Sequence, residues 1–133
     1  MFCNDIACCR STDYFLSERG YKTANYHSGI PAAKRAENFQ LFDSGSHPIL
    51  VCTDIASRGL DYNGVRPLPP HRIECGNFFF QEVSHVILFD FPFNPIDYLH
   101  RIGRTGRAGK SGTVTCLLKK GDLVLANAIE VSP

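Results

Sequence analysis

Two periods of apolar residues alternate along this chain. Short continuous runs of branched or aromatic residues are separated by longer stretches where apolar side chains return every three or four positions. Met1-Phe2-Cys3 reads as the tail of a buried strand, and Asn4 and Asp5 can cap a helix starting directly after them. Ile6 to Arg19 has a helical stripe with Cys8/Cys9 and Phe15/Leu16 inward, stopped by Gly20. Lys22 to His27 is a short strand with Ala24 and Tyr26 on one side, and Ser28-Gly29 turns. Pro31 opens a second helix with Ala32, Ala36, Phe39 and Phe42 on one face, closed by Gly45. Ile49 to Cys52 and Val86 to Phe89 are continuous apolar runs, the pattern of strands buried on both faces. Thr53 to Asp61 is a polar loop or short helix. Pro95 to Arg101 predicts a short helix, Thr113 to Leu118 a strand and Asp122 to Glu130 a helix.

This alternation predicts an α/β domain with a mostly parallel sheet and right-handed crossovers. Ligands gather at the carboxyl ends of such strands. Thr53-Asp54, Asp90 and the arginine-rich turn after the short helix are therefore expected on that edge. One stretch fits no period: Gly64 to Glu82 holds three of the eight prolines and the run Phe78-Phe79-Phe80, which cannot all face one core.

Composition narrows the class. At 133 residues, 44% hydrophobic and 20% charged, the chain is one globular domain. A net charge of +1 provides no global field for nucleic acid, so any such site must be local. Four of the fourteen basic residues fall between Arg101 and Lys110. The six cysteines form no C-x-x-C pair, and the adjacent Cys8 and Cys9 are a poor start for a disulfide framework or a zinc site. A reducing, intracellular setting is expected, and no metal set is read from the spacing. No apolar run approaches the roughly 18 residues needed to span a membrane.

His100 to Gly109, HRIGRTGRAG, carries the strongest chemistry. Arg101, Arg104 and Arg107 recur every third residue, with glycines between them and no acid. Glycine is poor helix filler, so this backbone must bend or approach something closely. Arginine suits bidentate contact with phosphate. The local reading is a tight, basic, phosphate-facing turn, against the alternative of a solvated basic loop.

With these motifs in order, the chain resembles the C-terminal RecA-like domain of DEAD-box RNA helicases, over nearly all of Met1 to Ile129 except the irregular stretch. Phe2-Cys3-Asn4 resembles motif IV. Tyr26-His27-Ser28-Gly29 with Arg35 resembles the next segment of the family pattern. Thr53 to Asp61 (TDIASRGLD) resembles motif V, Asp90-Phe91-Pro92 motif Va, and His100 to Arg107 motif VI letter for letter. The resemblance implies a three-layer RecA-like domain, a mostly parallel sheet flanked by helices. It implies that Arg104 and Arg107 reach the γ-phosphate of ATP, that Asp61 contacts the ribose, and that His100 links to the partner domain across the cleft. It places Gly29, Arg35, Thr53 and Gly59 along a single-stranded RNA path. Arg101 and Arg58 are left between a site role and a structural salt bridge; Asp54 and Asp90 between a site role and a cap or turn. His27, His47, His71 and His85 read as structural.

The chain also departs from that pattern. It has no G-x-x-x-x-G-K-[ST] loop and no D-E-A-D run, both of which belong to the family's N-terminal domain. ATP and Mg²⁺ are thus expected to be held mainly by that missing RecA-like domain. This chain, read as residues 1–133 of a C-terminal domain truncated at both ends, is expected not to hydrolyse ATP alone, and to be poorly soluble. The glutamine of the family's Q-x-x-R is Ala32 here, leaving Arg35. Residues 65–81 read as an unstructured insertion of 17 codons, either retained intron, since Phe78 to Gln81 back-translates to a pyrimidine run ending in CAG, or a real lineage-specific loop. Two other functions remain open: a non-catalytic, truncated or mis-spliced RNA-binding fragment, and a DNA translocase of the same superfamily.

Overall fold

The computed structural model describes residues 1–56, 83–107 and 109–130. Helix α1 (Ile6–Glu18) starts where Asp5 accepts a hydrogen bond from the backbone of Cys8 at 2.8 Å, satisfying an amide that the first turn leaves without an intrahelical partner. It stops at Gly20, as its pattern predicts. Cys9 and Thr12 are buried and Leu16 is half-buried. Phe15, expected inward beside Leu16, is instead 51% exposed, with the Arg19 guanidinium 3.5 Å above its ring. Adjacent helical residues are about 100° apart, so a narrow stripe through Cys9, Thr12 and Leu16 leaves Phe15 outside.

The remaining elements are β1 (Thr23–Tyr26), α2 (Ala32–Asp43), β2 (Ile49–Cys52), a 3₁₀ turn over Asp54–Ala56, β3 (His85–Leu88), α3 (Pro95–Ile102), β4 (Thr113–Cys116), a second 3₁₀ turn over Lys120–Asp122, and α4 (Leu123–Glu130). Strands β1 and β2 pair in parallel with Thr23 opposite Ile49, and β3 and β4 with His85 opposite Thr113. Phe2 makes parallel bridges to Cys52 and to Leu88 and joins the two pairs. Met1 to Cys3 therefore lies in the middle of one parallel sheet, in the order β1, β2, Phe2, β3, β4. Its amides and carbonyls are used on both sides: Phe2 N to Ile87 O at 2.8 Å, Cys3 N to Cys52 O at 2.9 Å, Cys52 N to Met1 O at 2.9 Å.

Strand alternation sorts the core into two layers. Phe2, Ala24, Tyr26, Leu50, Cys52, Val86 and Leu88 face one way, under Phe39 and Phe42 of α2, Tyr98 and Ile102 of α3, and Ile129 of α4. Cys3 and Val51 face the other way, against Cys9 and Leu16 of α1. This is the three-layer α/β arrangement expected from the sequence.

The connection from β3 to β4 corrects one expectation. In a parallel pair, the crossover must bring the chain back to the amino end of the next strand. Helix α3 does so, and the arginine turn after it closes at the amino-terminal side of β3: Val83 N donates to Arg104 O at 3.0 Å, and Thr105 Oγ1 donates to Val83 O. The turn then enters β4 at Thr113. Thr53, Asp54 and Asp90 lie at the carboxyl ends, as expected, but the turn bearing Arg104 and Arg107 lies at the opposite edge. The expected insertion at 65–81 falls outside the described residues.

Candidate functional site

Helix α3 positions the site, and its sequence explains its start. Asn94 is extended (φ −152°, ψ 161°); its Oδ1 accepts from Asp97 N at 2.8 Å while its Nδ2 donates to Asp97 Oδ2 at 2.7 Å. Pro95 comes next, in the first helical position, where its missing N–H costs nothing. His100 and Arg101 occupy the last turn, where the helix dipole favours positive charge.

Arg101 faces inward and is almost wholly buried. Its Nε and Nη2 grip both carboxylate oxygens of Asp54, at 2.7 and 2.9 Å. Its Nη1 donates to Asp90 O at 2.9 Å, and Nη2 also donates to Asn4 Oδ1 at 2.7 Å. The guanidinium lies 5.6 Å from the Phe2 ring centroid. One side chain thus ties together the centre of the sheet, the loop after β2 and the loop after β3. Of the two roles left open for Arg101 the structure shows the salt bridge; Asp54, read as a cap or a site residue, is its ion-pair partner. Asn4, read from the sequence as a helix cap, instead secures Arg101 and donates to Phe91 O at 2.9 Å. Its place in the Phe-Cys-Asn motif was the only available signal.

Asp90 is also held structurally. Its Oδ2 accepts from Asn4 N at 3.1 Å and its Oδ1 from Lys119 Nζ at 3.2 Å. Burial opposes its charge, but bonds from Cys8, Asn4 and Lys119 outweigh that and hold its pKa below the usual carboxylate value.

The turn beyond α3 is shaped by backbone. Gly106 (φ 67°) and Gly109 (φ 79°) are left-handed, a conformation that side-chain-bearing residues adopt at a cost. A Cβ on Gly112 would clash with Thr105 Oγ1 and lie 2.6 Å from Gly106 N. On this frame Arg104 and Arg107 are both half-buried. Arg104 Nε donates to His100 O at 3.3 Å, and Arg107 Nε donates to Gly103 O. Burial first, and the neighbouring Arg107 charge second, lower the pKa of Arg104. His100 is exposed.

Of the residues expected along the RNA path, Gly29, Arg35 and Thr53 lie at the other edge, after β1 and β2. Gly29 N donates to His27 Nδ1 at 3.1 Å, so its amide is already used; a Cβ there would come 3.1 Å from His27 Nδ1 and 3.2 Å from Arg10 Nη2. His27 is buried, and burial, then the Arg10 charge, push its pKa down. Arg35 Nη1 donates to Ile30 O at 2.7 Å, and Thr53 N to Tyr26 O at 3.2 Å. The structure thus brings Gly29, Arg35 and Thr53 to one edge, and His100, Arg104 and Arg107 to α3 and its turn. Asp61, Gly59, Arg58 and His71 lie outside the described residues.

Known proteins share this arrangement of elements. The model for the helicase conserved C-terminal domain matches residues 1–67 and 79–109. The DEAD-box ATP-dependent RNA helicase 39 of Arabidopsis thaliana is 44% identical over 132 residues, covering 98% of this chain and 18% of that protein. Among solved structures, a DEAD box protein from Methanococcus jannaschii superposes with a TM-score of 0.75 at 29% identity, over 97% of this chain and 31% of that one. The E. coli DEAD-box protein SrmB gives a TM-score of 0.74 at 30% identity, over 96% of this chain and 65% of that one. The chain spans about a fifth of the length of the curated relatives it matches.

Proposed function

Since the chain belongs to the helicase conserved C-terminal domain family, among the DEAD-box RNA helicases, we propose that it forms the C-terminal half of an ATP-dependent RNA helicase and supplies Arg104 and Arg107 to ATP held by an N-terminal RecA-like partner domain. The observation that carries this reading is the pair of half-buried arginines on a glycine-shaped turn, within the segment that matches the family. A triphosphate would supply the negative charge that two guanidiniums grip best. As the γ-phosphoryl group transfers, charge spreads over its equatorial oxygens, and two preorganised arginines stabilise it with little reorganisation. ATP and Mg²⁺ would be held mainly by the partner domain, with Asp61 on the ribose and His100 linking the two domains. Gly29, Arg35, Thr53 and Gly59 would line the path of single-stranded RNA, or of one strand of a short duplex. Contacts there go to phosphate and sugar, which suits binding without sequence preference.

The interruption of the family match between residues 67 and 79 supports an insertion in this chain. An intracellular setting is favoured by the five described cysteines, all free. No helix among the described residues is long and apolar enough to cross a membrane.

The test exchanges this chain for the corresponding domain of the Arabidopsis relative. The chimaera should show RNA-stimulated ATP hydrolysis, and Arg104→Ala with Arg107→Ala should lower the rate on the order of 10³-fold or more. Hydrolysis that is unchanged in the double variant overturns the reading. The chain by itself should show no RNA-stimulated hydrolysis.

A further inference from the structure

The helicase reading leaves one side-chain cluster unused. Cys3 ends the bridging strand at the centre of the sheet, Cys8 stands on the first turn of α1, and Asp90 lies just after β3. Their two sulfurs and a carboxylate oxygen all lie within 4.8 Å of one another. Backbone bonds hold the three in place: Cys3 N to Cys52 O at 2.9 Å, Cys8 N to Asp5 Oδ1 at 2.8 Å, and Asp90 N to Phe2 O at 3.2 Å. Cys3 and Asp90 are buried, and Cys8 is partly exposed, which gives an ion a way in.

We propose that Cys3, Cys8 and Asp90 form a three-ligand site for a thiophilic divalent cation, zinc by its chemistry. Zinc takes thiolate sulfur at about 2.3 Å and carboxylate oxygen at about 2.0–2.2 Å in a tetrahedron, so neighbouring donors stand roughly 3.5–3.8 Å apart. Small side-chain rotations bring donors already within 4.8 Å to that spacing, and water completes the fourth position. Outer groups are also in place. Cys3 Sγ donates to Thr12 Oγ1 at 3.8 Å and Cys8 Sγ lies 4.0 Å from the same hydroxyl, which can turn to donate to one sulfur once metal displaces the thiol protons. A dication with two thiolates and one carboxylate carries one negative charge, and Lys119, 3.2 Å from Asp90 Oδ1, offsets it. Cys9 has another partner, donating to Asn25 Oδ1 at 3.0 Å, and is not counted as a ligand. Bound metal would pin the first turn of α1 to the end of β3. The spacing along the chain concealed this site because Asp90 reaches the two cysteines only through the folded sheet.

Cobalt(II) is the probe, added to the whole chain under reducing conditions. One equivalent should produce a thiolate-to-cobalt charge-transfer band in the near ultraviolet and the strong visible bands of tetrahedral cobalt. Cys8→Ser should abolish the charge-transfer intensity from its sulfur and weaken binding more than tenfold, and Asp90→Asn should weaken it about tenfold. Thr12→Val should weaken it roughly 10–100-fold, as loss of an outer partner does elsewhere. Cys116→Ser should leave the spectrum unchanged. On the unsubstituted chain, zinc should slow alkylation of Cys8 by iodoacetamide, read by peptide mass, and EDTA should restore it. No thiolate–cobalt band, bands unaltered in Cys8→Ser, alkylation indifferent to zinc, or air oxidation to a Cys3–Cys8 disulfide in place of metal uptake would each overturn the proposal.

Discussion

Arg101 and Asp54, 47 residues apart, meet in a two-pronged ion pair of 2.7 and 2.9 Å at the carboxyl edge of the sheet. The same guanidinium also closes on Asp90 O and Asn4 Oδ1. Each of its three nitrogens thus points at a structural acceptor. Within HRIGRTGR, then, the first arginine builds the domain, and the other two remain the candidates for chemistry.

Replacing Arg101 with Met should therefore cost about 3–5 kcal/mol, because Asp54 loses a buried partner. Urea denaturation would show it as a large drop in midpoint. By contrast, Glu37→Ala removes the Lys34–Glu37 pair, whose side chains are both more than half exposed. That change should cost under about 0.5 kcal/mol. Equal costs for the two would contradict the structural role of Arg101.

Gly112→Ala should disturb the arginine turn selectively. The new Cβ would press on Gly106 N and on Thr105 Oγ1, which bonds the turn to Val83. An overpacked site of this kind costs about 1–3 kcal/mol. In the helicase chimaera, the loss in ATPase rate should exceed the loss expected from stability alone, measured at a temperature well below the unfolding transition.

Asn94→Ala removes the cap that starts α3. Asp97 N then loses its acceptor, at a cost of about 1 kcal/mol. Asn94→Ser, which keeps an oxygen acceptor without setting a second carboxylate against Asp97 Oδ2, should recover most of it. Thermal unfolding of the three proteins side by side checks this order.

His27 should make the domain acid-sensitive. Burial and the Arg10 charge lower its folded pKa below the ordinary value of about 6.5. The unfolded chain then binds the proton first, so stability is full above about pH 6.5 and falls as pH drops through the lowered value. Protonation would also break the bond that Nδ1 accepts from Gly29 N. His27→Asn should flatten this part of the pH profile of the urea midpoint. An unchanged slope would place the sensitivity elsewhere.

Much of this domain is local in origin, and the sequence alone determined that part. Ile49–Cys52 is a strand with the same limits in pattern and structure, and α1 and α3 differ from their predicted spans by one residue. These elements arise from runs, periods, caps and glycines that act over a few residues. The central place of Met1 to Cys3 was also legible, since only a strand covered on both faces tolerates so short and apolar a run. The family resemblance came from motif order, which is linear information.

What only the tertiary structure decided concerns which elements meet. A helical period says that α1 has an inner stripe, but which residues meet the sheet, Cys9, Thr12 and Leu16 with Phe15 outside, is set by packing. The motif supplies three equivalent arginines; the neighbourhood of Asp54, Asp90 and Asn4 singles out Arg101. A parallel crossover carries the Arg104–Arg107 turn to the amino edge, away from Thr53 and Gly29. Cys3, Cys8 and Asp90 converge for the same reason. Contacts between residues distant in sequence depend on strand order and register, and the local pattern of apolar residues fixes neither.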